Sequence, residues 1–346
     1  MTDEQQRILT TAGITGVTDV ARYGSGHINE TYKVETASGE RYILQKINTS
    51  IFTRAELLKA NVLRVTEYLQ SRGVPSLEVV AYENPWRVYR FLEGYTSRDI
   101  VSEPRQAYDV GRAFAKFQND LAELPAPRLG EILPKFHDTP DRLRQLDEAA
   151  AQDVKGRRAS VAAELAFVDT WRERAGRIVE LMRTGEIPER VTHNDTKINN
   201  VLFAPDTHEA LLVIDLDTVM PGLVAHDFGD AVRFAANFTE EDSEHTDKTG
   251  LDLNIFWAFA DGFLSKTASV LTPKEIDTLA LSPFVLACEL ATRFLDDYIM
   301  GDNYFACKKP GHNLIRTRCQ VALAKDMEQK IDAMDALIKS CVEKYR

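Results

Sequence analysis

The chain has 346 residues, 44% hydrophobic and 27% charged, and a formal net charge of −11. That length and apolar content allow a large core spread over two lobes, and the acidic balance speaks against a nucleic-acid binder, which would carry a basic stripe. No apolar run approaches the roughly 20 residues of a membrane span, and the polar start MTDEQQRILTTAG lacks the basic and apolar regions of a signal peptide.

The first 95 residues read mostly as strand. TYKVET alternates in strand fashion after a glycine turn at Gly24 and Gly26, and RYILQKIN follows the turn at Ser38–Gly39, which together predict an antiparallel hairpin. The backbone amides of GSGHINETY could approach phosphate oxygens, although ordinary glycine turns far outnumber phosphate loops. His27 at its tip is either a solvated loop histidine or a substrate contact. Lys46 shares a strand face with apolar Leu44 and is expected to point inward, toward nucleotide phosphates. Leu57, Leu58, Val62, Val65 and Leu69 share one face of a helix over 54–69, and LEVVAY and WRVYRFLEG follow as strands joined at Asn84–Pro85.

From Ser97 onward the pattern is helical. One helix is expected over 103–121, and two over 139–184 with a break near Lys155–Gly156. A short hairpin, VLF with LLVID, precedes a helix starting near Asp227, and the remainder from about Leu251 to Tyr345 is helical, punctuated by Thr272–Pro273 and Lys309–Pro310. The layout is α+β and bilobal, kinase-like: a small β-rich lobe over 1–93, a connector near Phe91–Gly94, and a larger mainly helical lobe over 94–346. The four cysteines, Cys288, Cys307, Cys319 and Cys341, lack paired spacing, so reduced thiols in a cytoplasmic protein are expected.

VTHNDTKINNVLF carries the chemistry. Asp195 is a carboxylate suited to accept a hydroxyl proton. Asn200, five residues on, and Asp215, at the end of LLVID, offer an amide oxygen and a carboxylate for Mg²⁺ against nucleoside triphosphate phosphates. Asp217 shares a face with Asp215 if the strand continues, so both could serve one site. Asp227 is expected to N-cap the helix that follows and to orient the turn, with Asp230 in its first turn; neither is expected to be catalytic. Glu289 and Arg293 stand four apart. They form either a surface salt bridge or an arginine reaching into a sugar-binding cleft with Tyr304 stacking nearby.

GSGHINETY, YILQKIN, THNDTKINNVLF, IDLDT and HDFGD, in this order, resemble the aminoglycoside phosphotransferase superfamily, and their wording is similar to its N-acetylhexosamine 1-kinase branch. The resemblance implies ATP- and Mg²⁺-dependent phosphorylation of the anomeric hydroxyl of GlcNAc or GalNAc. It makes Asp195 the base and Asn200 and Asp215 the metal ligands. It sets Lys46 near the phosphates, Arg90, Phe91 and Leu92 against adenine, and His27, Arg293 and Tyr304 against the sugar. Other small alcohols such as choline, homoserine or a thio-sugar would keep the same catalytic residues, and a nucleotide-binding pseudokinase is the non-enzymatic alternative. The partners implied are a small sugar and ATP, with no nucleic acid, membrane or protein. The glutamate that pairs with the strand lysine in kinases has no clear counterpart; Glu56 and Glu67 are candidates, and Asn61 stands where it would be sought.

Overall fold

A computed structural model of the chain describes residues 1–24, 28–204 and 210–346. It opens on a helix that the strand-like reading of this region misses, α1 (Asp3–Thr11). A reciprocal cap starts it: Thr2 Oγ1 accepts from the Gln5 amide, and Gln5 Oε1 accepts from the Thr2 amide. The Thr-x-x-Gln spacing is its sequence signal.

The five strands that follow, β1 (Val17–Arg22), β2 (Glu30–Thr36), β3 (Arg41–Lys46), β4 (Val79–Glu83) and β5 (Trp86–Arg90), form an antiparallel sheet of order β1-β2-β3-β5-β4. The β2–β3 hairpin is the expected one, with Tyr32 opposite Leu44. Alternation turns Val34 and Leu44 to one face, where they meet Ile8 and Leu9 of α1 with Trp86 and Val88 in a small core. Helix α2 (Ala55–Ser71) buries Leu58, Val62, Val65 and Leu69, the stripe expected from helical spacing. Those side chains belong to the same apolar cluster as the later helices, so the main core runs continuously across the 93/94 boundary.

Beyond the connector come β6 (Thr96–Ser97), α3 (Pro104–Asp120), α4 (Thr139–Gln152) and α5 (Ala162–Arg183). Four short strands follow: β7 (Arg190–Thr192), β8 (Val201–Phe203), β9 (Ala210–Val213) and β10 (Met220–Gly222). The chain ends in α6 (Val224–Ala235), α7 (Leu253–Thr267), α8 (Pro273–Leu279), α9 (Ser282–Met300) and α10 (His312–Tyr345). The expected class, a β-sheet N-terminal region and a larger helical C-terminal part, is what forms. Helix α6 starts three residues before Asp227, with Leu223 at its N-cap, because Pro221–Gly222 already ends the strand ahead of it; Asp227 lies in its first turn and is not the cap. β7 pairs with β10 and β8 with β9, which lays segment 193–200 alongside segment 214–219. Among the described residues no single helix is long and apolar enough to cross a membrane.

Two helix contacts around these segments are backbone against backbone. A Cβ on Gly229 of α6 would lie 2.6 Å from the Ser282 carbonyl oxygen of α9. A Cβ on Gly262 of α7 would lie 2.0 Å from that of Tyr108 on α3. Gly262→Ala is therefore expected to cost about 1–3 kcal/mol through overpacking, read as a lower urea midpoint at unchanged m-value. A wild-type midpoint would contradict this close approach.

Candidate active site

Segments 193–200 and 214–219 meet at a cleft of about 730 Å³, within the usual size of a small-molecule site. Ile28, Asn29, Thr31 and Gln45 line it from the sheet side; Asp195, Lys197, Asn200 and Asp215 line it from below. Asp195 Oδ1 is 2.9 Å from Lys197 Nζ, and Oδ2 accepts from Asn200 Nδ2 at 3.3 Å. Burial pushes the Asp195 carboxyl up, but the Lys197 ammonium outweighs it, so Asp195 stays an anion below the usual carboxylate range. Lys197 is raised above the ordinary lysine value, chiefly by Asp195. The sequence reading overlooks Lys197. Its signal is the spacing: two residues past the aspartate and three before Asn200, a cation on the same turn as the carboxylate.

The turn is held from behind. Asp227 accepts from the His193 amide at 2.9 Å and the Asn194 amide at 2.7 Å, while Gln118 of α3 donates to the same carboxylate at 2.7 Å. This is the orienting role expected of Asp227. Thr196 Oγ1 donates to the Asp227 carbonyl at 2.6 Å. Asn194 sits at φ 63°, in the left-handed region that asparagine tolerates better than most residues. His193 Nε2 lies 2.9 Å from the Ile214 carbonyl, so it donates there, and Nδ1 accepts from the Asp195 amide at 3.3 Å. That pattern sets one tautomer and ties the two segments together. His137, ahead of α4, contributes Nε2 at 3.0 Å from the Asn194 carbonyl oxygen.

Asn200 and Asp215 offer two oxygen donors to a cation in the cleft. The Ile214 amide donates to the Asn200 carbonyl at 2.9 Å, which places the two side chains on adjacent strand ends. Asn200 turns its Nδ2 to Asp195, at 2.8 Å from the backbone oxygen, and so has its Oδ1 left to ligate. Asp215, at φ 59°, opens onto the cleft with no hydrogen-bond partner among the described residues. The enclosing walls and the carboxylates of Asp217 and Asp195 push it up to about 7, a position that a bound cation would relieve. Among the described residues no group of three or more His, Cys, Asp or Glu is arranged to hold a metal. Two oxygen donors suit a Mg²⁺ ion that takes its other ligands from phosphates and water.

Asp217 does not share this task. The strand ends before Asp215, and Asp217 turns into the sheet, where Arg87 of β5 grips it bidentately at 2.5 and 2.8 Å and Asn29 donates to it at 2.7 Å. Arg87 is 1% exposed, and its Nε donates to Gln45 at 2.9 Å.

Lys46 needs correction. It does share the face of Leu44, but α1, unforeseen, covers that face. Lys46 Nζ contacts Glu4 of α1 at 3.3 Å and lies 5.3 Å from the Trp86 ring, and the cleft face carries Gln45 instead. Neither Glu56, bonded to Asn84, nor exposed Glu67 enters the cleft. Asn61 donates to the Gly130 and Val219 carbonyls and accepts from the Gly130 amide. Arg90 pairs outward with Glu78 and Glu40, Phe91 packs its ring 5.8 Å from that of Tyr23, and neither they nor Leu92 line the cleft. Gly24 takes φ 78° at the turn after β1; Gly26 and His27 lie outside the described residues.

Arg293 and Tyr304 do not line the cleft either. Arg293 stands 3.9 Å from Glu289 with its guanidinium 5.2 and 5.5 Å from the Phe136 and Phe305 rings. Tyr304 is 54% exposed and packs on Phe305. Of the two readings of Glu289–Arg293, the salt bridge forms, although Glu289 is fully buried rather than at the surface. The far wall is built instead by Arg233, Phe238, Glu240, Glu241, Asp242 and Arg316. Arg233 pairs with Asp230 at 2.8 Å and Glu241 at 2.7 Å, and His312 lies 2.9 Å from Asp242.

The pattern that defines the phosphotransferase enzyme family matches residues 19–261. Solved structures share the fold at low identity. A choline/ethanolamine kinase family protein from Mesorhizobium loti is 14% identical, with 98% of each chain covered and a TM-score of 0.61. The amicoumacin kinase hAmiN, in complex with AMP-PNP, Ca²⁺ and Ami, is 13% identical over 95% of this chain and 94% of its own, with a TM-score of 0.60. A choline kinase from Cryptosporidium parvum is 14% identical over 99% of this chain and 100% of its own, with a TM-score of 0.58.

The two lysines give a direct contrast. Lys197→Ala is expected to lower phosphoryl-transfer turnover about 10²-fold or more, as loss of a preorganised charge does. Lys46→Ala should leave nucleotide affinity, measured by calorimetry, at its wild-type value. Equal losses in both variants would return Lys46 to the cleft.

Proposed function

As this chain belongs to the phosphotransferase enzyme family, we propose that it transfers the γ-phosphoryl group of ATP to the anomeric (C1) hydroxyl of an N-acetylhexosamine, GlcNAc or GalNAc, giving the sugar 1-phosphate and ADP. One observation carries the phosphoryl-transfer half of this reading: Asp195, Lys197, Asn200 and Asp215 open into a single cleft. Asp195, held anionic, accepts the hydroxyl proton or orients the hydroxyl toward phosphorus. Lys197 compensates charge on the transferred group while keeping Asp195 in place. Asn200 and Asp215 would hold Mg²⁺, which when bound neutralises charge on the β- and γ-phosphates. The rigid turn supplies most of the acceleration by positioning.

The acceptor half is supported by the far wall. Two of its three carboxylates, Glu241 and Asp242, are already satisfied by Arg233 and His312, and Arg316 adds a cation. Such a wall presents donors and acceptors with little net charge, which suits a neutral polyol with a ring face for Phe238. A second reading is an amino alcohol such as choline or ethanolamine. The Glu240 carboxylate, with no hydrogen bond or ion pair among the described residues, beside Phe238 would favour a small organic cation.

The test is ADP release with Mg·ATP over GlcNAc, GalNAc, glucose, galactose, choline, ethanolamine and homoserine. Turnover is expected with the N-acetylhexosamines alone, and phosphorus–proton coupling should place the phosphate on C1. Asp195→Asn should bind nucleotide and lose turnover. Activity on an amino alcohol alone would overturn the sugar assignment, and unchanged turnover of Asp195→Asn would remove the base.

A further inference from the structure

We propose that His137 and Glu289 form a buried imidazolium–carboxylate pair that positions the turn bearing Asp195. The positioning role rests on the reading of Asp195 as the phosphoryl-transfer carboxylate; the charge state of the pair does not.

His137 Nδ1 lies 2.9 Å from Glu289 Oε1, and Nε2 lies 3.0 Å from the Asn194 carbonyl oxygen. A carbonyl oxygen and a carboxylate can only accept, so both ring nitrogens must donate, and a ring with two N–H groups is an imidazolium. A neutral ring would turn a lone pair on one of these two oxygens. Glu289 has the matching need. It is fully buried on α9, its Oε2 accepts from Thr139 Oγ1 at 2.9 Å, and its nearest other cation, Arg293, is 3.9 Å away. A buried carboxylate of this kind is tolerable only beside a compensating charge.

The groups around the pair agree. From α9 come Glu289 and Arg293, from α6 the His226 ring at 5.1 Å and Asp230, from α4 Arg142, and from the turn the Asn194 carbonyl. Burial disfavours charge on His137, but the Glu289 carboxylate outweighs it and raises the imidazole above its ordinary value. Burial likewise opposes the Glu289 anion, and His137 more than offsets it, bringing Glu289 to about 2. His226 is pushed down to about 3 by burial and then by the His137 charge, and its Nε2 has no partner. Of these two histidine rings, tilted 51° against each other, one carries the proton and the other stays neutral.

The pair reaches the chemistry through one peptide group. The carbonyl of Asn194 and the amide of Asp195 belong to the same peptide; His137 holds the first, and His193 Nδ1 accepts from the second. The preceding peptide is held through the Asn194 amide by Asp227. With both peptides around a left-handed Asn194 clamped, the direction in which Asp195 leaves the backbone is set. Because the folded His137 value is raised, the stabilisation is complete below the unfolded value of about 6.5. It is lost as pH rises through the folded value.

Imidazole nitrogen chemical shifts of ¹⁵N-labelled full-length protein, with His137 assigned by its loss in His137→Gln, test the charge state without any acceptor. His137 is expected to show two protonated nitrogens at pH 7 and to titrate above the free histidine value. Glu289→Gln keeps the shape and lets the new amide donate to Nδ1, so a neutral ring still reaches Asn194. The wild-type kcat is expected to fall at alkaline pH as His137 loses its proton; in Glu289→Gln, His137 should be neutral at pH 7 and that fall should vanish. His137→Gln should lower kcat about 10²-fold, as misplacement of a reacting group does, at an unchanged KM for ATP. Neutral-ring shifts in the wild type overturn the pair. An alkaline fall unchanged in Glu289→Gln, or a wild-type kcat in His137→Gln, overturns its link to Asp195. A protein silent on every acceptor yet showing a protonated His137 would discard the proposed reaction and keep the pair.

Discussion

Two adjacent backbone amides, those of His193 and Asn194, point into the protein interior, and one carboxylate receives both. An isolated buried amide costs about 1–3 kcal/mol, so without Asp227 this turn would open. Asp227 itself is raised by burial and is kept usable by the His193 charge distribution, the two amides and Gln118. The helical lobe can be understood as what delivers that carboxylate: α6 carries it, α3 supplies Gln118 to it, and α9 supplies, through Glu289 and His137, the grip on the next carbonyl. Three helices thus determine the direction of one side chain that lies on none of them.

The sheet joins this arrangement by a different device. In the kinase scheme a lysine on the third strand reaches the phosphates and a helix glutamate steadies it. Here the third strand presents Gln45 to the cleft, and the buried cation is Arg87 on β5, paired across the connector with Asp217. Asp217 lies two residues from Asp215, so the guanidinium anchors the loop that bears the candidate cation ligand. Asn29, whose Oδ1 accepts from the Asn48 amide while its Nδ2 donates to Asp217, adds a second strut from the same lobe. Removing one partner from such a pair leaves an uncompensated buried charge and costs about 3–5 kcal/mol.

What could be read from the sequence followed from how local each feature is. The Asp195, Asn200 and Asp215 set lies within 21 residues, on turns flanked by apolar strands, and the structure brings it into one cleft. The class of fold was equally legible, because strand alternation and helical spacing are local. The face of β3 that meets the cleft was not, since alternation says which residues share a face but not what covers it; a short capped helix at the N-terminus decided that. Arg87–Asp217 and His137–Asn194 join residues 130 and 57 positions apart, and nothing in their neighbourhoods marks them. Arg293 failed for a related reason: a charged residue on an apolar helix reads alike whether it faces a ligand or two phenylalanine rings. Two omissions had a signal in the sequence: the Thr2-x-x-Gln5 cap of α1, and Lys197 on the turn of Asp195.

Gly229 and Gly262 let α6 meet α9, and α7 meet α3, without a side chain between them. A gap filled by side chains can be retuned by exchanging one apolar residue for another, and its width drifts as substitutions accumulate. A gap closed by main-chain atoms has a width fixed by their radii. The helices that hold the turn are therefore insulated from ordinary change in the core around them. Apart from Arg233 on α6, the far wall of the cleft is carried on the 237–242 segment and on Arg316 of α10, which have no such restraint. If that wall receives the acceptor, as proposed, inheritance can rewrite which molecule is accepted while leaving the alignment of Asp195 untouched.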